Sequence, residues 1–381
     1  MAWREYTYMS EREEFVRRAL AGDSNMSALS RRFGVSRKTG YKWLTRFDPA
    51  VAHSLQDRSR RPLLSPRRSA ESMEAIVCAV RREHPAWGGR KIHHLLRADG
   101  FVAVPAASTI TGILARNGLL LPGRRLVRDF QRFEADQPND LWQMDFKGHF
   151  PTPAGRCNPL TVLDDHSRFN LCLAACADQQ AETVQKELVR VFRCYGLPER
   201  MLMDNGSPWG SDQAHPHTRF TAWLIRLGVR VSHGRPYHPQ TQGKEERFHR
   251  TLKAELLSPL PDWPGLGDAQ VAFDAWREVY NHRRPHEAIG NRPPMSRYQP
   301  SPRPFPETLP PVAYEHGDEV RQVGDKGRIS FRGRRFLVSR AFIGQPVALR
   351  ATETDGQYDI YYCLQRVGSL SLRAPPPEAE V

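Results

Sequence analysis

The sequence predicts a multidomain α/β protein: all-α units at the N-terminus, a mixed-sheet α/β core and a small β-barrel at the C-terminus. Apolar residues recur at helical spacing from residue 10 to residue 118. From Leu141 onwards, strand-like alternating segments are interleaved with helical ones, which is typical of a sheet with helices on its faces. From about residue 317 the alternating runs become short and are separated by Gly turns, which favours a small barrel.

The charge of the chain points to a polyanionic partner. Among 381 residues, 56 lysines and arginines face 42 acids, which gives a net charge of +14 and an isoelectric point near 9.8. Nucleic acid is the first polyanion to consider for such a protein, and a basic surface that only confers solubility is the alternative. The length allows two or three domains, each with its own core.

Composition also predicts where the protein works. No apolar run approaches the roughly 18 residues of a membrane-spanning helix, and the N-terminal MAWREYTYMSEREEF lacks an apolar signal segment. The six cysteines form no CxxC pair and no His-Cys set at zinc-finger spacing, so they read as reduced thiols. We therefore expect a cytoplasmic, nucleoid-associated protein with no membrane partner.

The first predicted domain, residues 1–62, contains a helix-turn-helix pattern in MSALSRRFGVSRKTGYKWLTRF. Gly34 suits the turn, and Ser36 is a candidate N-cap for the second helix. An apolar set predicts the buried side: Leu29, Phe33, Val35, Tyr41 and Leu44. Gly40 lies inside the second helix at a cost of about 1 kcal/mol. The first turns of that helix present four candidate DNA contacts, Arg37, Lys38, Thr39 and Lys42. An ordinary helical hairpin with a basic face is the alternative.

A second helix-turn-helix-like domain is predicted over residues 63–118, because three helical segments with short Gly/Pro breaks follow one another. Ser108 and Thr109 open the last of these helices and are candidate DNA contacts. The turn of this unit is less compact than that of the first. Residues 119–137 are predicted to be a linker.

Two aspartates of the predicted core, residues 138–262, occupy positions where strand signals would bring them together. In LWQMDFKGHF, alternation puts Asp145 on the face opposite Trp142 and Met144. In MLMDNG, an apolar strand ends directly at Asp204, and carboxylates at strand ends of open α/β sheets often face the functional crevice. A solvated acid and an ordinary Asn-Gly turn are the bland alternatives.

The segment GKEERFHRTLK predicts a helix with two adjacent glutamates in unequal positions. At about 100° per residue, Glu245 shares the apolar stripe of Phe248 and Leu252. Glu246 shares the polar face of Lys253, two turns later, where a carboxylate and an ammonium could hold a metal and a phosphate. An amphipathic helix with mixed surface charges is the alternative.

Taken together, four motifs resemble those of DDE transposases of bacterial insertion sequences with a retroviral-integrase-type core. They are QMDF at 143–146, LDDHSR at 163–168, DNG at 204–206 and YHPQTQGKEERFHRTLK at 237–253. The connector segment RRPHEAIGNRPP, the paired helix-turn-helix units and the C-terminal ISFRGRRFLV resemble that branch as well. The resemblance covers nearly the whole chain.

The resemblance implies an RNase H-like core in which Asp145, Asp204 and Glu246 are the catalytic acids. It implies a pair of Mg²⁺ ions held by these carboxylates, with Mn²⁺ as a possible substitute, because hard cations prefer oxygen ligands. Lys253 matches a position that contacts DNA near the reacting end, and we predict that Lys244 and Arg250 contact DNA as well. The family usually has an apolar residue where Glu245 stands, and we expect Glu245 to be partly exposed in the first turn of the helix.

The predicted function is a transposase or integrase that binds double-stranded DNA at its element's ends and performs Mg-dependent strand cleavage and transfer. The resemblance suggests a homo-oligomer assembled on DNA. A catalytically inactive DNA-binding regulator and a simple RNase H-like nuclease are the alternatives. Asp204 and Glu246 are 42 positions apart (246 − 204), wider than usual, and the excess lies between Gly210 and Arg219. A helix and Pro-rich connector is expected over 263–316 and the β-barrel over 317–375.

Overall fold

The structure is a computed structural model, and it describes residues 8–22, 25–51, 53–58, 68–120, 134–210, 217–234, 243–258 and 263–373. The chain divides into two compact units, Met1–Arg68 and Ser69–Val381. Among the described residues, no helix combines the length and the apolar character that crossing a membrane requires.

The first unit contains the predicted helix-turn-helix. Its helices are α1 (Tyr8–Ala21), α2 (Met26–Arg32) and α3 (Arg37–Arg46). The Ser36 hydroxyl accepts a hydrogen bond from the Thr39 amide at 3.1 Å, so the predicted N-cap of α3 is confirmed. Gly34 adopts φ +65° in the turn, a conformation that favours glycine.

The buried side of α3 differs from the predicted one. Val35 and Tyr41 were expected in the core, but they are 36% and 50% exposed. The helix instead turns Gly40 and Trp43 inward, where Trp43 packs with Phe15 of α1. A Cβ on Gly40 would lie 2.7 Å from the Phe15 ring, so the glycine permits a close approach of α3 to α1. The expectation for Val35 and Tyr41 was wrong because it did not include this approach.

The second unit begins with the three predicted helices, α4 (Glu71–Glu83), α5 (Gly89–Ala98) and α6 (Ala107–Arg116). Their shared core contains Val77, Trp87, Ile92, Ile110 and Leu114. Helices α5 and α6 approach closely at Gly89, where a Cβ would lie 2.4 Å from the Ala107 carbonyl oxygen.

The predicted mixed-sheet α/β core is present. Its strands are β1 (Trp142–Phe146), β2 (Phe150–Thr152), β3 (Gly155–Asp164), β4 (Asn170–Cys176), β5 (Arg200–Met203) and β6 (Arg230–His233). The hydrogen-bonded order is β2-β3-β1-β5-β6, with β4 on β3. Strand β3 pairs antiparallel with both β1 and β4, and β5 pairs parallel with both β1 and β6.

Helices cover both faces of this sheet. Helices α7 (Ala181–Tyr195) and α8 (Arg219–Arg226) pack on the face that contains Trp142 and Met144. Helices α9 (Gly243–Leu252) and α10 (Leu266–His282) cover the other face, where Phe248 and Phe273 meet Leu163. A π-helical turn, Lys253–Leu257, prolongs α9. Gly196, with φ +77°, ends α7 as predicted. The six cysteines are not joined in disulfides.

The C-terminal β region is not a closed barrel, so that prediction was wrong. Its strands are β7 (Glu319–Gln322), β8 (Arg328–Phe331), β9 (Arg334–Leu337), β10 (Pro346–Ala351), β11 (Gln357–Tyr362) and β12 (Gln365–Ser371). Within the described residues they form a four-stranded sheet, β12-β11-β10-β7, and a separate β8-β9 hairpin. The hairpin contacts the sheet through side chains. For example, the rings of Phe331 and Tyr358 pack edge to face, with their centroids 4.8 Å apart. Because no hydrogen-bonded ladder links the two, the edges stay open.

Candidate functional site

Two of the three predicted catalytic acids lie at one edge of the core sheet. Asp145 is the fourth residue of β1, and Asp204 follows β5 directly. These strands pair in parallel, with Trp142 opposite Met201 and Gln143 opposite Leu202. The same register, continued by two residues, places Asp145 beside Asp204. Helix α9 crosses over β1 and carries the third acid, Glu246, on an exposed side.

The pKa of Asp145 depends on its burial and on the charges of its neighbours. Burial, followed by the charges of Asp204 and Glu246, raises the pKa of Asp145 to about 6 against the opposing effects of the Phe146 amide and Lys147. Each neighbouring carboxylate disfavours the ionised form of Asp145. Asp145 therefore lies within the electrostatic field of both other acids.

A tryptophan that the sequence did not single out holds Asp204 in place. The Trp209 indole N–H and the Gly206 amide both donate to Asp204 Oδ1, the amide at 2.9 Å. The Trp209 ring also stacks on Phe146, with the ring centroids 5.5 Å apart and the planes at 13°. Trp209 thus connects the loop that carries Asp204 to the residue next to Asp145. The periodicity of the sequence does not predict that the Trp209 indole lies beside Asp204.

The two glutamates of α9 have opposite environments, as the helical phase predicted. Glu245 is fully buried with Phe248 and Leu252, whereas Glu246 is exposed. The expectation that Glu245 would be partly exposed was wrong. Burial and the charge of Asp145 raise the pKa of Glu245 well above its ordinary value, which favours the neutral, protonated form of the side chain. A protonated carboxyl group is tolerated where a carboxylate is not.

Glu245 belongs to a buried polar cluster under Asp145. The Thr161 hydroxyl lies 3.1 Å from Glu245 Oε2, 2.9 Å from the Asp145 carbonyl oxygen and 2.8 Å from His249 Nε2. Its single proton serves one of these acceptors at a time. His249 Nδ1 lies 3.8 Å from Asp145 Oδ2, and burial lowers the pKa of His249 to about 3, so the imidazole is neutral. Sequence reasoning did not assign a role to Thr161 or His249.

The three basic residues of GKEERFHRTLK that were predicted to contact DNA comprise one anchored and two exposed side chains. Arg250 and Lys253 are exposed. Lys253 lines a recess of about 290 Å³ together with Lys147, Phe150 and Trp263. Lys244, which the sequence predicted to contact DNA, instead places its ammonium on the buried carboxylate of Asp165. Burial lowers the pKa of Lys244 to about 8.

The candidate DNA contacts of the helical units lie on accessible surfaces. On α3, Arg37, Lys38 and Lys42 are exposed, whereas Thr39 is half-buried with its hydroxyl 3.0 Å from that of Ser36. In the other unit, Ser108 and Thr109 are exposed in the first turn of α6. DNA contact at each of these positions stays a prediction. The segment with the extra residues between Gly210 and Arg219 lies mostly outside the described residues.

The chemistry of the three acids suits a divalent metal, although their arrangement does not yet enclose one. In the part of the chain that the structure describes, no three His, Cys, Asp or Glu side chains lie close enough to hold an ion. The donors are oxygens, which Mg²⁺ and Mn²⁺ prefer. The pKa of Asp145 is raised by burial and then by the charges of Asp204 and Glu246, and a bound cation would favour the ionised form of Asp145. Asp145, Asp204 and Glu246 therefore have the donor chemistry that a divalent metal requires, and metal binding by these three acids stays a prediction.

Family models match along most of the chain. An integrase core domain matches residues 135–239, and a second integrase core model matches residues 227–294. The C-terminal domain of IS481 family transposases matches residues 318–377. A helix-turn-helix domain matches residues 11–62, and a homeodomain-like domain matches residues 39–114.

Several similar proteins come from insertion elements. The 39.2 kDa protein of IS476 from Xanthomonas euvesicatoria is 27% identical over 235 residues, which cover 60% of this chain and 65% of that protein. The 31.7 kDa protein of IS407 from Burkholderia multivorans is 25% identical over 58% of this chain and 78% of its own length. Transposase InsD of IS2 from Escherichia coli is 28% identical over 56% of this chain and 73% of its own length. The chain thus spans just under two thirds of the first of these relatives.

Solved structures with detectable similarity include two from retroviruses. One is the HTLV-2 integrase catalytic core domain in complex with magnesium, at 16% identity, a TM-score of 0.35 and coverage of 44% of this chain and 100% of that one. The other is a simian T-cell lymphotropic virus intasome in complex with a PP2A regulatory subunit, at 17% identity, a TM-score of 0.37 and coverage of 78% and 100%. The family models and the insertion-element relatives confirm the resemblance predicted from the sequence.

Proposed function

We propose that the chain, which is similar to insertion-sequence transposases with an integrase core, binds the ends of its mobile element and catalyses metal-dependent cleavage and transfer of DNA strands. One observation carries this proposal. Asp145 and Asp204 lie close to the C-terminal ends of two adjacent parallel strands, and the charge of Glu246 on α9 raises the pKa of Asp145.

In this proposal, the core is RNase H-like, and Asp145, Asp204 and Glu246 are both the catalytic residues and the metal ligands. A pair of Mg²⁺ ions, or Mn²⁺, would supply activation of the attacking oxygen and stabilisation of the leaving oxygen. Trp209 keeps the Asp204 carboxylate oriented through its indole N–H. Beneath Asp145, the Thr161 hydroxyl lies 2.9 Å from its backbone carbonyl oxygen, and the neutral His249 ring lies 3.8 Å from its carboxylate.

The reaction is an in-line displacement at phosphorus with no covalent enzyme intermediate. In the cleavage step, water attacks a phosphodiester at the element's end, the new P–O bond forms and the 3′-oxygen leaves with a proton. In the transfer step, the freed 3′-hydroxyl attacks a phosphodiester of target DNA in the same way. Arg250 and Lys253, exposed on the face of α9 that carries Glu246, would hold phosphates near the reacting end.

Recognition of the element's ends is assigned to the helical units. The exposed Arg37, Lys38 and Lys42 of α3, together with Thr39, would read base edges and phosphates, as a recognition helix does. Ser108 and Thr109 of α6 would provide a second contact. We propose that the active form is a homo-oligomer assembled on double-stranded DNA.

A strand-transfer assay with Mg²⁺ and DNA that carries the element's ends tests the function. The intact protein is expected to nick and join the ends, and Asp204→Asn to lose joining while DNA affinity stays within about twofold. An intact protein that binds the ends but neither nicks nor joins them with Mg²⁺ or Mn²⁺ would be the inactive regulator. Nicking of any duplex without joining would indicate a simple nuclease.

A further inference from the structure

Asp165 is a buried acid at the point where three parts of the core meet. Its side chain is fully buried directly after β3. Asp165 Oδ1 accepts a hydrogen bond from Gln143 Nε2 of β1 at 2.7 Å, and Oδ2 accepts one from the Ala135 amide at 2.7 Å. Gln143 is two residues from Asp145. The Asp165 carboxylate is therefore joined directly to the strand that carries the first catalytic acid.

The third part is the start of α9. Lys244 is the second residue of this helix, and its ammonium forms an ion pair with Asp165 Oδ2 and lies 3.3 Å from the Asp165 carbonyl oxygen. Its side chain is only 17% exposed. The contact spans 79 positions along the chain. It ties the first turn of α9 to the β3–β4 turn, two residues before Glu246.

The turn itself is rigidly built, so it can serve as an anchor. Asp164 Oδ1 accepts from the Ser167 amide at 2.7 Å, and Asp164 Oδ2 accepts from the Asn139 amide at 2.8 Å. The Arg168 guanidinium donates to the Asp165 carbonyl oxygen and pairs with Glu134 at 2.9 Å. The LDDHSR motif thus builds a fixed turn that presents the Asp165 carboxylate.

We propose that Lys244 is a positioning residue: its ion pair with Asp165 fixes the first turn of α9, so that Glu246 faces Asp145 and Asp204. This inference rests on the proposed function and adds to it a residue that does not touch DNA or metal. It replaces the expectation that Lys244 binds a phosphate. An ammonium engaged with a buried carboxylate is not available to the DNA backbone, and removing it would leave the Asp165 charge without its cation.

Metal affinity and DNA affinity separate the two roles of Lys244. Binding of Mn²⁺ to the full chain is followed by electron paramagnetic resonance, and binding of end DNA by fluorescence anisotropy at several salt concentrations. For Lys244→Met we expect the Mn²⁺ dissociation constant to rise about tenfold or more, while the DNA dissociation constant and its salt dependence stay as in the unaltered protein. Hydrogen exchange of the Glu246–His249 amides should become faster.

The matched control is Lys253→Met, an exposed lysine on the same helix. This variant should weaken DNA binding and lower the salt dependence by about one ion, with Mn²⁺ affinity unchanged. Lys244→Arg, which keeps a cation for Asp165, should recover most of the Mn²⁺ affinity. If Lys244→Met does not fold, the comparison of Lys244→Arg and Asp165→Asn with the unaltered protein replaces it, and Asp165→Asn should also weaken Mn²⁺ binding.

The inference is overturned if Lys244→Met behaves like Lys253→Met, with weaker DNA binding and unchanged Mn²⁺ affinity. It is also overturned if neither Lys244→Met nor Asp165→Asn changes Mn²⁺ affinity in a protein whose Asp204→Asn variant does lose it. A different pattern, in which Asp204→Asn leaves Mn²⁺ binding intact and the unaltered protein does not join DNA, would mean that the proposed function itself has failed.

Discussion

Glu245 and Glu246 are consecutive residues of α9, yet the first is fully buried 3.1 Å from the Thr161 hydroxyl and the second is exposed. The raised pKa of Glu245, caused by burial and then by the charge of Asp145, favours the neutral form of its carboxyl group. Of the two glutamates, Glu246 is the one whose side chain is accessible to a metal. This asymmetry leads to the first prediction.

Glu246→Gln should lower strand transfer by about 10³-fold or more, because an amide cannot replace an ionised metal ligand. Glu245→Gln should keep activity within about tenfold, because glutamine has nearly the shape of the protonated acid. Both rates are measured in single-turnover joining assays, with DNA affinity as the control for folding. If Glu245→Gln were inactive and Glu246→Gln active, the assignment of the third acid would be reversed.

The raised pKa of Asp145 predicts how the stability of the metal-free protein depends on pH. Its pKa is about 6 in the folded state against 3.8 ordinarily, so the folded state holds the proton more tightly. The free energy of unfolding therefore falls as pH rises from about 4 to about 6. Asp145→Asn should remove this loss and stabilise the protein at pH 7 by up to about 3 kcal/mol, with no gain below pH 3.8.

Urea unfolding in EDTA at several pH values measures this effect. Saturating Mn²⁺ should abolish the advantage of Asp145→Asn at pH 7, because the cation relieves the repulsion between the carboxylates. An Asp145→Asn variant less stable than the unaltered protein at pH 7 would show that the ionised Asp145 does not destabilise the folded state.

Removal of the cations of α3 should weaken recognition of the element's ends. With Arg37 and Lys42 both replaced by alanine, the slope of log affinity against log salt should fall by about 1 to 2. Arg17→Ala is the matched control, because Arg17 is an exposed arginine of the same unit that pairs with Glu14. An unchanged slope in the double variant would mean that α3 does not touch DNA phosphates.

Gly40→Ala should destabilise the N-terminal helix-turn-helix by about 1 to 3 kcal/mol, because its Cβ would press on the Phe15 ring at 2.7 Å. Gly112→Ala in α6 is the control, because a Cβ there meets only the Arg116 guanidinium at 3.6 Å. It should raise the stability of its own helix by up to about 1 kcal/mol. Hydrogen exchange of α3 and α6 measures each effect locally, and equal effects of the two substitutions would contradict the close approach of α3 to α1.

The sequence predicted those parts of the fold and the site that depend on neighbours along the chain. The period of α9 separated Glu245 from Glu246, and Ser36 marked the start of α3. The alternation of β1 put Asp145 on the face opposite Trp142 and Met144, and the apolar run of β5 ended at Asp204. Each of these features follows from residues within one or two turns, where the geometry of a helix or strand is fixed by the backbone.

Tertiary structure decided what depends on distant partners. Lys244 has the same charge and spacing as a DNA contact, but a carboxylate 79 positions away takes its ammonium. Trp209 orients Asp204 across a loop, and Gly40 rather than Tyr41 faces Phe15 because two helices approach closely. The open edges of the C-terminal sheet likewise depend on which strands meet. Local periodicity does not reveal these contacts between distant residues. Whether a side chain is buried or ion-paired depends on the surface that the fold packs against it.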